Sequence, residues 1–197
     1  MSNDVPLPSR KTGSRSTLWL VLAVCLAPFV ASFAAYQFYQ PQGRVNYGSL
    51  VETQKLPVEP LPLADGSGGF MLRQLEGKWI FLVVDDAGCD AYCENKLWQI
   101  RQVRKTQGKY PERIERLWLV TGEGQPDERV RREYDGTWMV KAAGSGLMGA
   151  LPYEGSIRDH IYLIDPLGNL VLRYPRDADP SRIRKDITRL LRVSRIG

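Results

Sequence analysis

Two cysteines separated by three residues are the part of the chain best suited to chemistry. Cys89 and Cys93 follow the apolar run 79–84, and a helix is predicted from Ala91 onward. Residues four apart lie on one face of a helix, so both sulfurs are expected to point the same way, with Cα atoms about 6 Å apart, near the long end of the disulfide range. Two convergent thiolates suit a soft metal ion or a disulfide, and the spacing leaves both open.

Two apolar runs predict the buried strands that position this pair. Residues 79–84 are continuously apolar, as in a central strand covered on both faces, and residues 117–120 repeat the pattern. Between them, Cys93 begins a helical stripe that continues through Leu97, Ile100 and Val103. Lys96 is expected on the solvent face of this helix, so the cysteines lie between a central strand and an amphipathic helix.

The rest of the chain continues the alternation of strands and helices. The further predicted elements are a helix at 126–134, a strand at 137–140, a glycine-rich helical turn at 144–150, a hairpin of 161–164 with 170–172, and a helix capped by Asp179. This order, with two thiols at the start of the first helix, predicts an α/β domain with a thioredoxin-like fold. A helix N-terminus carries partial positive charge that stabilises a thiolate, and Cys89 is expected on the solvent side of this helix start.

The only histidine is a candidate third ligand. His160 directly precedes the strand at Ile161, and in a thioredoxin-like fold that loop lies beside the helix that carries the cysteines. Cys89, Cys93 and His160 together suit copper, because thiolates select Cu(I) and an added imidazole also allows Cu(II). Asp159 is a candidate to orient the ring. The alternative is a histidine that caps a strand end by hydrogen bonds, beside a static disulfide.

Three aspartates surround the cysteines. Asp85, Asp86 and Asp90 follow the apolar run directly, and we interpret them as loop acids that end the strand. Their negative charge disfavours a thiolate when no metal is bound.

The first apolar stretch predicts a membrane span. Residues 18–36 are apolar apart from Ser32, and about 20 such residues cross a bilayer as a helix. A cleaved signal peptide has a shorter apolar core, roughly 7 to 15 residues, although residues 32–34 form an acceptable cleavage site. Cys25 is interpreted as a small apolar residue of the span. An uncleaved anchor is therefore preferred.

The charges that flank the span predict its orientation. Arg10, Lys11 and Arg15 precede it, and only Arg44 follows closely, so the N-terminus is expected in the cytoplasm and the domain in the periplasm, anchored to the inner membrane by a single pass. In that oxidising compartment the cysteine pair cannot be assumed to be reduced. The predicted organisation is a cytoplasmic tail at 1–17, an anchor at 18–38, a linker at 39–62 and a thioredoxin-like domain at 63–197.

The composition excludes several classes of function. A chain of 197 residues with 43% hydrophobic content supports one core. Of the net charge of +5, the residues before 18 carry +2, and the +3 that remains is too small to indicate a nucleic-acid-binding protein. The sequence has no phosphate-binding glycine loop, no Ser-His-Asp set and no zinc-type Cys/His cluster, so hydrolase and nucleotide-binding functions are not supported.

Several motifs resemble those of a known family. They are Leu75-Glu76-Gly77-Lys78 before the apolar strand, the pair Cys89 and Cys93, and the segment 162–168 preceded by His160. These resemble the Sco/SenC family, membrane-anchored thioredoxin-fold proteins that assist assembly of the copper site of cytochrome c oxidase. The longer stretches 134–137, 159–162 and 179–186 resemble a divergent bacterial subgroup associated with oxidase assembly.

The chain departs from the family pattern at three places. Asp90 and Glu94 stand where the family usually has proline after each cysteine. His160 lies closer to the turn at 165–168 than the family histidine does, so it matches only with a shortened loop. Residues 121–124 stand where the family has an acidic motif, directly after the second buried strand.

The resemblance implies three functional hypotheses. The first is a copper metallochaperone in which Cys89, Cys93 and His160 hold copper and pass it to the oxidase subunit that bears the copper site. The second is a thiol–disulfide oxidoreductase that keeps the cysteines of that subunit reduced, with Cys89 attacking and Cys93 resolving. The third is an anchored scaffold without catalytic activity.

Overall fold

The computed structural model describes residues 15–38, 46–194 and 196, and the chain divides into two units, residues 1–44 and 45–197. Most of the predicted cytoplasmic tail, the flanking charges Arg10, Lys11 and Arg44, and the first part of the predicted linker lie outside the described residues.

The described part of the first unit is one helix, α1 (Arg15–Phe38), with Pro28 inside it. Residues 15–37 are long and apolar enough to cross a membrane. A helix suits a bilayer because it satisfies its own backbone hydrogen bonds. The prediction of an N-terminal helix able to span a membrane is confirmed by the length and apolar composition of α1.

The second unit is built on a six-stranded mixed sheet. Its strands are β1 (Ser49–Lys55), β4 (Trp79–Asp86), β5 (Ile114–Thr121), β6 (Trp138–Lys141), β7 (Ile161–Ile164) and β8 (Asn169–Tyr174), in the order β1-β8-β7-β4-β5-β6. A small second sheet pairs β2 (Leu61–Pro62) with β3 (Gly69–Phe70). Strands β4, β5 and β6 run parallel, whereas β7, β8 and β1 pair antiparallel with their neighbours.

The α-helices that accompany the sheet in residues 46–194 are α2 (Ala91–Lys105), α3 (Glu128–Glu133), α4 (Gly146–Gly149) and α5 (Pro180–Val193). Strand β4 is buried along almost its whole length, which explains its continuous apolar run. One face of the sheet packs against α2 and α5 through a core that includes Phe81, Trp118 and Ile183. The other face forms a second core around Leu82 and Leu119. Each such buried side chain contributes roughly 1.5 to 3 kcal/mol.

The predicted linker at 39–62 is corrected in its second half. Residues 49–55 form β1, which pairs with β8 at the edge of the main sheet. Ahead of it, the backbone N–H groups of Tyr47 and Gly48 donate to the Asp186 carboxylate at 2.9 and 3.0 Å. Most β1 side chains are exposed, so hydrogen bonds rather than apolar burial hold this strand, and its sequence lacks the usual strand pattern.

Candidate functional site

The cysteine pair lies in the connection between β4 and α2. The helix begins at Ala91, and Asp90 is its N-cap, with a carboxylate that accepts a hydrogen bond from the Cys93 N–H at 2.9 Å. Cys93 is therefore the third residue of the helix, whereas Cys89 precedes the cap. The expectation that both cysteines share one helical face is wrong, because the helix starts too late to include Cys89.

A disulfide joins Cys89 to Cys93, with their Cα atoms 5.1 Å apart. This separation is shorter than that expected for a helical pair, because the backbone at Cys89 turns with a φ of +35°. The left-handed region is unfavourable for a residue with a Cβ, and such positions cost of order 1 to 3 kcal/mol and cluster at functional sites. A cysteine at a position where glycine would be less strained supports a chemical role for its sulfur.

The two cysteines are less exposed than the sequence predicted. Cys89 is 6% exposed and Cys93 is 1% exposed, and both belong to the core cluster that also contains Ala87. The expectation of a solvent-facing Cys89 is therefore wrong for the oxidised protein, because the short connection packs against the start of α2. Cys89 is the more exposed residue of the two.

A buried charged cluster lies at the end of β4. Asp85 is fully buried, and Lys96 Nζ lies 2.7 Å from its Oδ2. Arg158 Nε donates to Asp85 Oδ1 at 2.7 Å. The prediction that Asp85 is a loop acid and that Lys96 faces solvent is corrected, because α2 packs with Lys96 against the carboxyl end of the strand. Burial lowers the pKa of Lys96, and Asp85 partly opposes this shift.

The cluster connects three segments around the cysteines. Lys96 Nζ also donates to the Val84 carbonyl at 3.0 Å and to the Arg158 carbonyl. Arg158 Nη2 reaches Asp90 Oδ2 at 3.6 Å. Strand β4, helix α2 and the turn before β7 are thereby joined next to the disulfide, which makes Lys96, Asp85 and Arg158 positioning residues that sequence reasoning missed.

His160 is buried and held by backbone groups. Its Nδ1 lies 3.0 Å from the Tyr174 carbonyl oxygen, and its Nε2 lies 3.0 Å from the Glu154 carbonyl oxygen and 3.3 Å from the Glu154 amide nitrogen. Asp159, the predicted partner of the ring, instead accepts from the Ser156 N–H at 3.4 Å. The structure thus matches the alternative in which the histidine caps a strand end by hydrogen bonds.

The predicted ligand set is not brought together. Among residues 15–38, 46–194 and 196, no group of three or more His, Cys, Asp or Glu side chains is placed to hold a metal ion. The sulfurs of Cys89 and Cys93 are bonded to each other, and both ring nitrogens of His160 lie within hydrogen-bonding distance of backbone atoms. As arranged, these residues do not fit a three-coordinate copper site.

The fold and the cysteine pair define a thioredoxin-like domain, preceded in the chain by a helix apolar enough to span a membrane. The chain belongs to the transmembrane-like, thioredoxin-like family, whose C-terminal-domain model matches residues 79–194. No curated protein sequence matches the chain.

Solved structures share the fold at low sequence identity. The apo Sco1 protein of Thermus thermophilus has 18% identity and a TM-score of 0.57, covering 76% of this chain and 99% of its own. Yeast Sco1 with copper bound has 18% identity and a TM-score of 0.55, covering 77% of this chain and 96% of its own. The thioredoxin domain of a thiol-disulfide oxidoreductase from Bacteroides vulgatus has 15% identity and a TM-score of 0.52, covering 72% and 99%. These matches confirm the predicted thioredoxin-like fold, and the likeness to Sco proteins is confirmed in fold.

Asp90 has separable structural and electrostatic effects. The bond from the Cys93 N–H holds the pKa of this carboxyl below its usual 3.8, so its stabilising contribution is present above that pH and is lost as pH falls through the folded pKa. Asp90→Ala is expected to lower the free energy of unfolding by about 1 kcal/mol, since the cap acceptor is lost. Asp90→Asn keeps an acceptor, so its unfolding in urea is expected to match that of the wild type.

The same Asp90→Asn variant tests the charge next to the sulfurs. Removing a negative charge favours the thiolate, so reduced Asp90→Asn is expected to react faster with iodoacetamide at neutral pH than the reduced wild type. Equal alkylation rates for the two proteins would show that Asp90 does not act on the thiols.

Proposed function

We propose that the protein is a membrane-anchored thiol–disulfide oxidoreductase that acts on a cysteine pair of a partner protein. The observation that carries the proposal is the Cys89–Cys93 pair, which forms a disulfide at the start of α2, with Cys89 the more exposed residue of the two. The thioredoxin-like fold and the family membership support the same class of reaction.

The reaction is a two-electron exchange without a cofactor. In the reduced protein, the Cys89 thiolate attacks one sulfur of the partner disulfide, a mixed disulfide forms, and the partner's other sulfur leaves as a thiolate. The Cys93 thiolate then attacks the Cys89 sulfur, which releases the second partner sulfur as a thiolate. Both partner thiolates take up protons according to their pKa values. The partner is reduced by two electrons, and the Cys89–Cys93 disulfide is formed.

The residues around the pair act on this reaction in opposite directions. The N-terminus of α2 presents partial positive charge, which stabilises a thiolate. Asp86 and Asp90 carry negative charge in the same connection and oppose it. Arg158, 3.6 Å from Asp90, offsets part of that charge.

The proposed partner is the cytochrome c oxidase subunit that bears the copper site, as the Sco resemblance implies. The proposed location is the inner membrane, with α1 as a single-pass anchor, the N-terminus in the cytoplasm and the domain in the periplasm. The basic residues before α1 support this orientation. In an oxidising compartment, copper-site cysteines need a reductant before they can bind metal.

A single-turnover assay tests the proposal. The full chain in neutral detergent is reduced, freed of reductant and mixed with a peptide of the oxidase copper site whose two cysteines form a disulfide. We expect up to one peptide disulfide reduced per chain, with equal formation of the Cys89–Cys93 disulfide, counted by alkylation and mass spectrometry. A peptide that stays oxidised while Cys89 and Cys93 stay reduced would contradict the proposal.

Copper delivery is the second candidate function. The observation that favours it is the fold shared with yeast Sco1, which has been solved with copper bound. Once the disulfide is reduced, Cys89 and Cys93 offer two adjacent soft ligands for Cu(I). His160 would have to leave its contacts with Glu154 and Tyr174 to join them.

Copper titration of the reduced chain tests this second candidate. We expect one Cu(I) per chain, lost in the double variant Cys89→Ser with Cys93→Ser and unchanged in His160→Asn, because the ring is held elsewhere. Stoichiometry is measured by equilibrium dialysis against a competing thiol. Failure of the reduced wild type to retain copper would exclude this candidate without affecting the redox reaction.

A further inference from the structure

A cavity of about 670 Å³ lies beside the start of β5, away from the cysteine connection. Three arginines from different elements line it, together with the apolar side chains of Leu63, Trp138 and Met139; the arginines are Arg104, Arg116 and Arg131. We call it the arginine cavity. Arg116 of β5 pairs with Phe81 of β4, whereas Asp86, at the end of β4 next to the cysteine connection, pairs with Thr121. Arg116 therefore lies five positions along β5, about 16 Å, from the cysteine end of the sheet.

Arg116 is an unusual residue to bury at this place. The residue is only 5% exposed, and its Nη2 donates to the Asp135 carbonyl at 2.7 Å. Its Nε and Nη1 have no hydrogen-bond partner, and no carboxylate forms an ion pair with it among the residues that the structure describes. Buried donors without partners cost about 1 to 3 kcal/mol each, and more when the group is charged.

The guanidinium keeps its charge despite this position. Burial lowers the pKa of Arg116 to about 10, with smaller contributions from Arg104 and Arg101, so the side chain is positive at neutral pH. Arg131 Nε is likewise buried without a partner. Two arginines of one cavity therefore have unused donors, as expected where a bound anion completes the hydrogen bonding.

The surrounding charges favour an anion. A smaller adjoining cavity of about 290 Å³ shares Arg104, Arg116 and Asp135 with the first and adds Arg101, Lys105 and Arg132. Across the two cavities, six basic side chains stand against four carboxylates, which are Asp65, Glu115, Glu133 and Asp135. Glu133 pairs with Arg101, and Glu115 lies 4.0 Å from Lys78 outside the cavities. The lining of the two cavities taken together therefore carries a net positive charge.

We propose that the arginine cavity binds a small amphipathic oxoanion, a molecule with one phosphate or carboxylate group and an apolar part. The anionic group takes hydrogen bonds from the guanidinium groups of Arg116 and Arg131, after a small side-chain adjustment that opens their sealed donors. The apolar part lies against Trp138 and Met139. The anion comes either from a soluble metabolite or from a lipid headgroup, which share this chemistry.

Titration calorimetry of the full chain in neutral detergent tests the proposal with phenyl phosphate, inorganic phosphate and benzoate as probes. We expect saturable binding of phenyl phosphate at one site and about tenfold or greater weakening in Arg116→Met, since a hydrogen bond to a charged group is lost. Arg184→Met removes an exposed arginine of α5 and is expected to bind like the wild type. The double variant Cys89→Ser with Cys93→Ser is also expected to bind phenyl phosphate like the wild type, because the cavity does not depend on the redox reaction.

Arg131→Met provides the same readout if Arg116→Met fails to fold. The two anion sources are separated by reconstituting the chain in phosphatidylglycerol or phosphatidylcholine vesicles at high salt, which screens surface charge. If phenyl phosphate binds more weakly in phosphatidylglycerol vesicles than in phosphatidylcholine vesicles, the anion is a lipid headgroup. If phenyl phosphate binds equally in the two kinds of vesicle, the anion is a soluble molecule. The proposal is overturned if no probe binds the wild type and neither lipid affects the cavity, or if both arginine variants bind as well as the wild type.

Discussion

Cys89→Ser is expected to abolish disulfide reduction by the full chain, and Cys93→Ser is expected to accumulate a mixed disulfide with the partner peptide. Cys89 is the more exposed residue of the pair, so we expect it to form the first bond, which Cys93 then resolves in the unmodified chain. The measurement is non-reducing electrophoresis with mass spectrometry of the trapped species after single turnover.

Cys25→Ser is the matched control for these variants. Cys25 is the free cysteine of α1 among the described residues, and its replacement is expected to leave both the rate and the trapped product unchanged. A Cys93→Ser protein that traps no partner, together with a Cys89→Ser protein that still reduces the peptide, would contradict the assigned roles.

Lys96→Met is expected to lower the free energy of unfolding by about 3 kcal/mol, the largest stability effect that we predict. Removing one partner of a buried ion pair typically costs 3 to 5 kcal/mol, because the other charge stays buried and uncompensated. Arg158 still contacts Asp85, which places the effect at the lower end of that range. Urea unfolding followed by tryptophan fluorescence measures it, since Trp118 is fully buried.

The control for this variant lies on the same helix. Lys105 is exposed near the end of α2, so Lys105→Met is expected to change the free energy of unfolding by less than about 0.5 kcal/mol. If Lys96→Met and Lys105→Met unfold at the same urea concentration with the same slope, the buried cluster does not stabilise the site in the way described.

The apolar runs were sufficient to predict the centre of the fold. Strand β4 and strand β5 appear where continuous apolar residues predicted buried strands, and α2 follows its apolar stripe. The end of β4 was missed, because Asp85 is paired inside the protein and a charged residue normally indicates the end of a strand. β1 was missed because edge strands are held by backbone hydrogen bonds, which leave little trace in side-chain type.

The burial of Lys96 is predictable from its position on α2. It lies three positions after Cys93, and the same spacing relates Leu97 to Ile100 on the buried face. A lysine in that stripe indicates a buried partner, and Asp85 was the nearest acid at the adjoining strand end. The start of α2 at Ala91 was predicted correctly, and Asp90 is a favoured N-cap residue. A helix that begins at Ala91 leaves Cys89 outside it, so the expectation of a shared helical face did not follow.

The position of His160 required the three-dimensional structure. Its place before β7 was predicted correctly, but the groups that hold its ring are the carbonyls of Glu154 and Tyr174. Backbone carbonyls are present at every residue, so no sequence pattern distinguishes a histidine that contacts them from one that binds metal. The three-ligand copper prediction depended on that distinction.

The most direct test of the central claim is a redox titration of the full chain in glutathione and dithiothreitol buffers, with alkylation and mass spectrometry to count the thiols at Cys89 and Cys93. An exchanging pair is predicted to titrate reversibly as one two-electron couple, with a potential between about −300 and −120 mV. A disulfide that stays closed well below about −300 mV would be a structural crosslink, and that result would contradict the account.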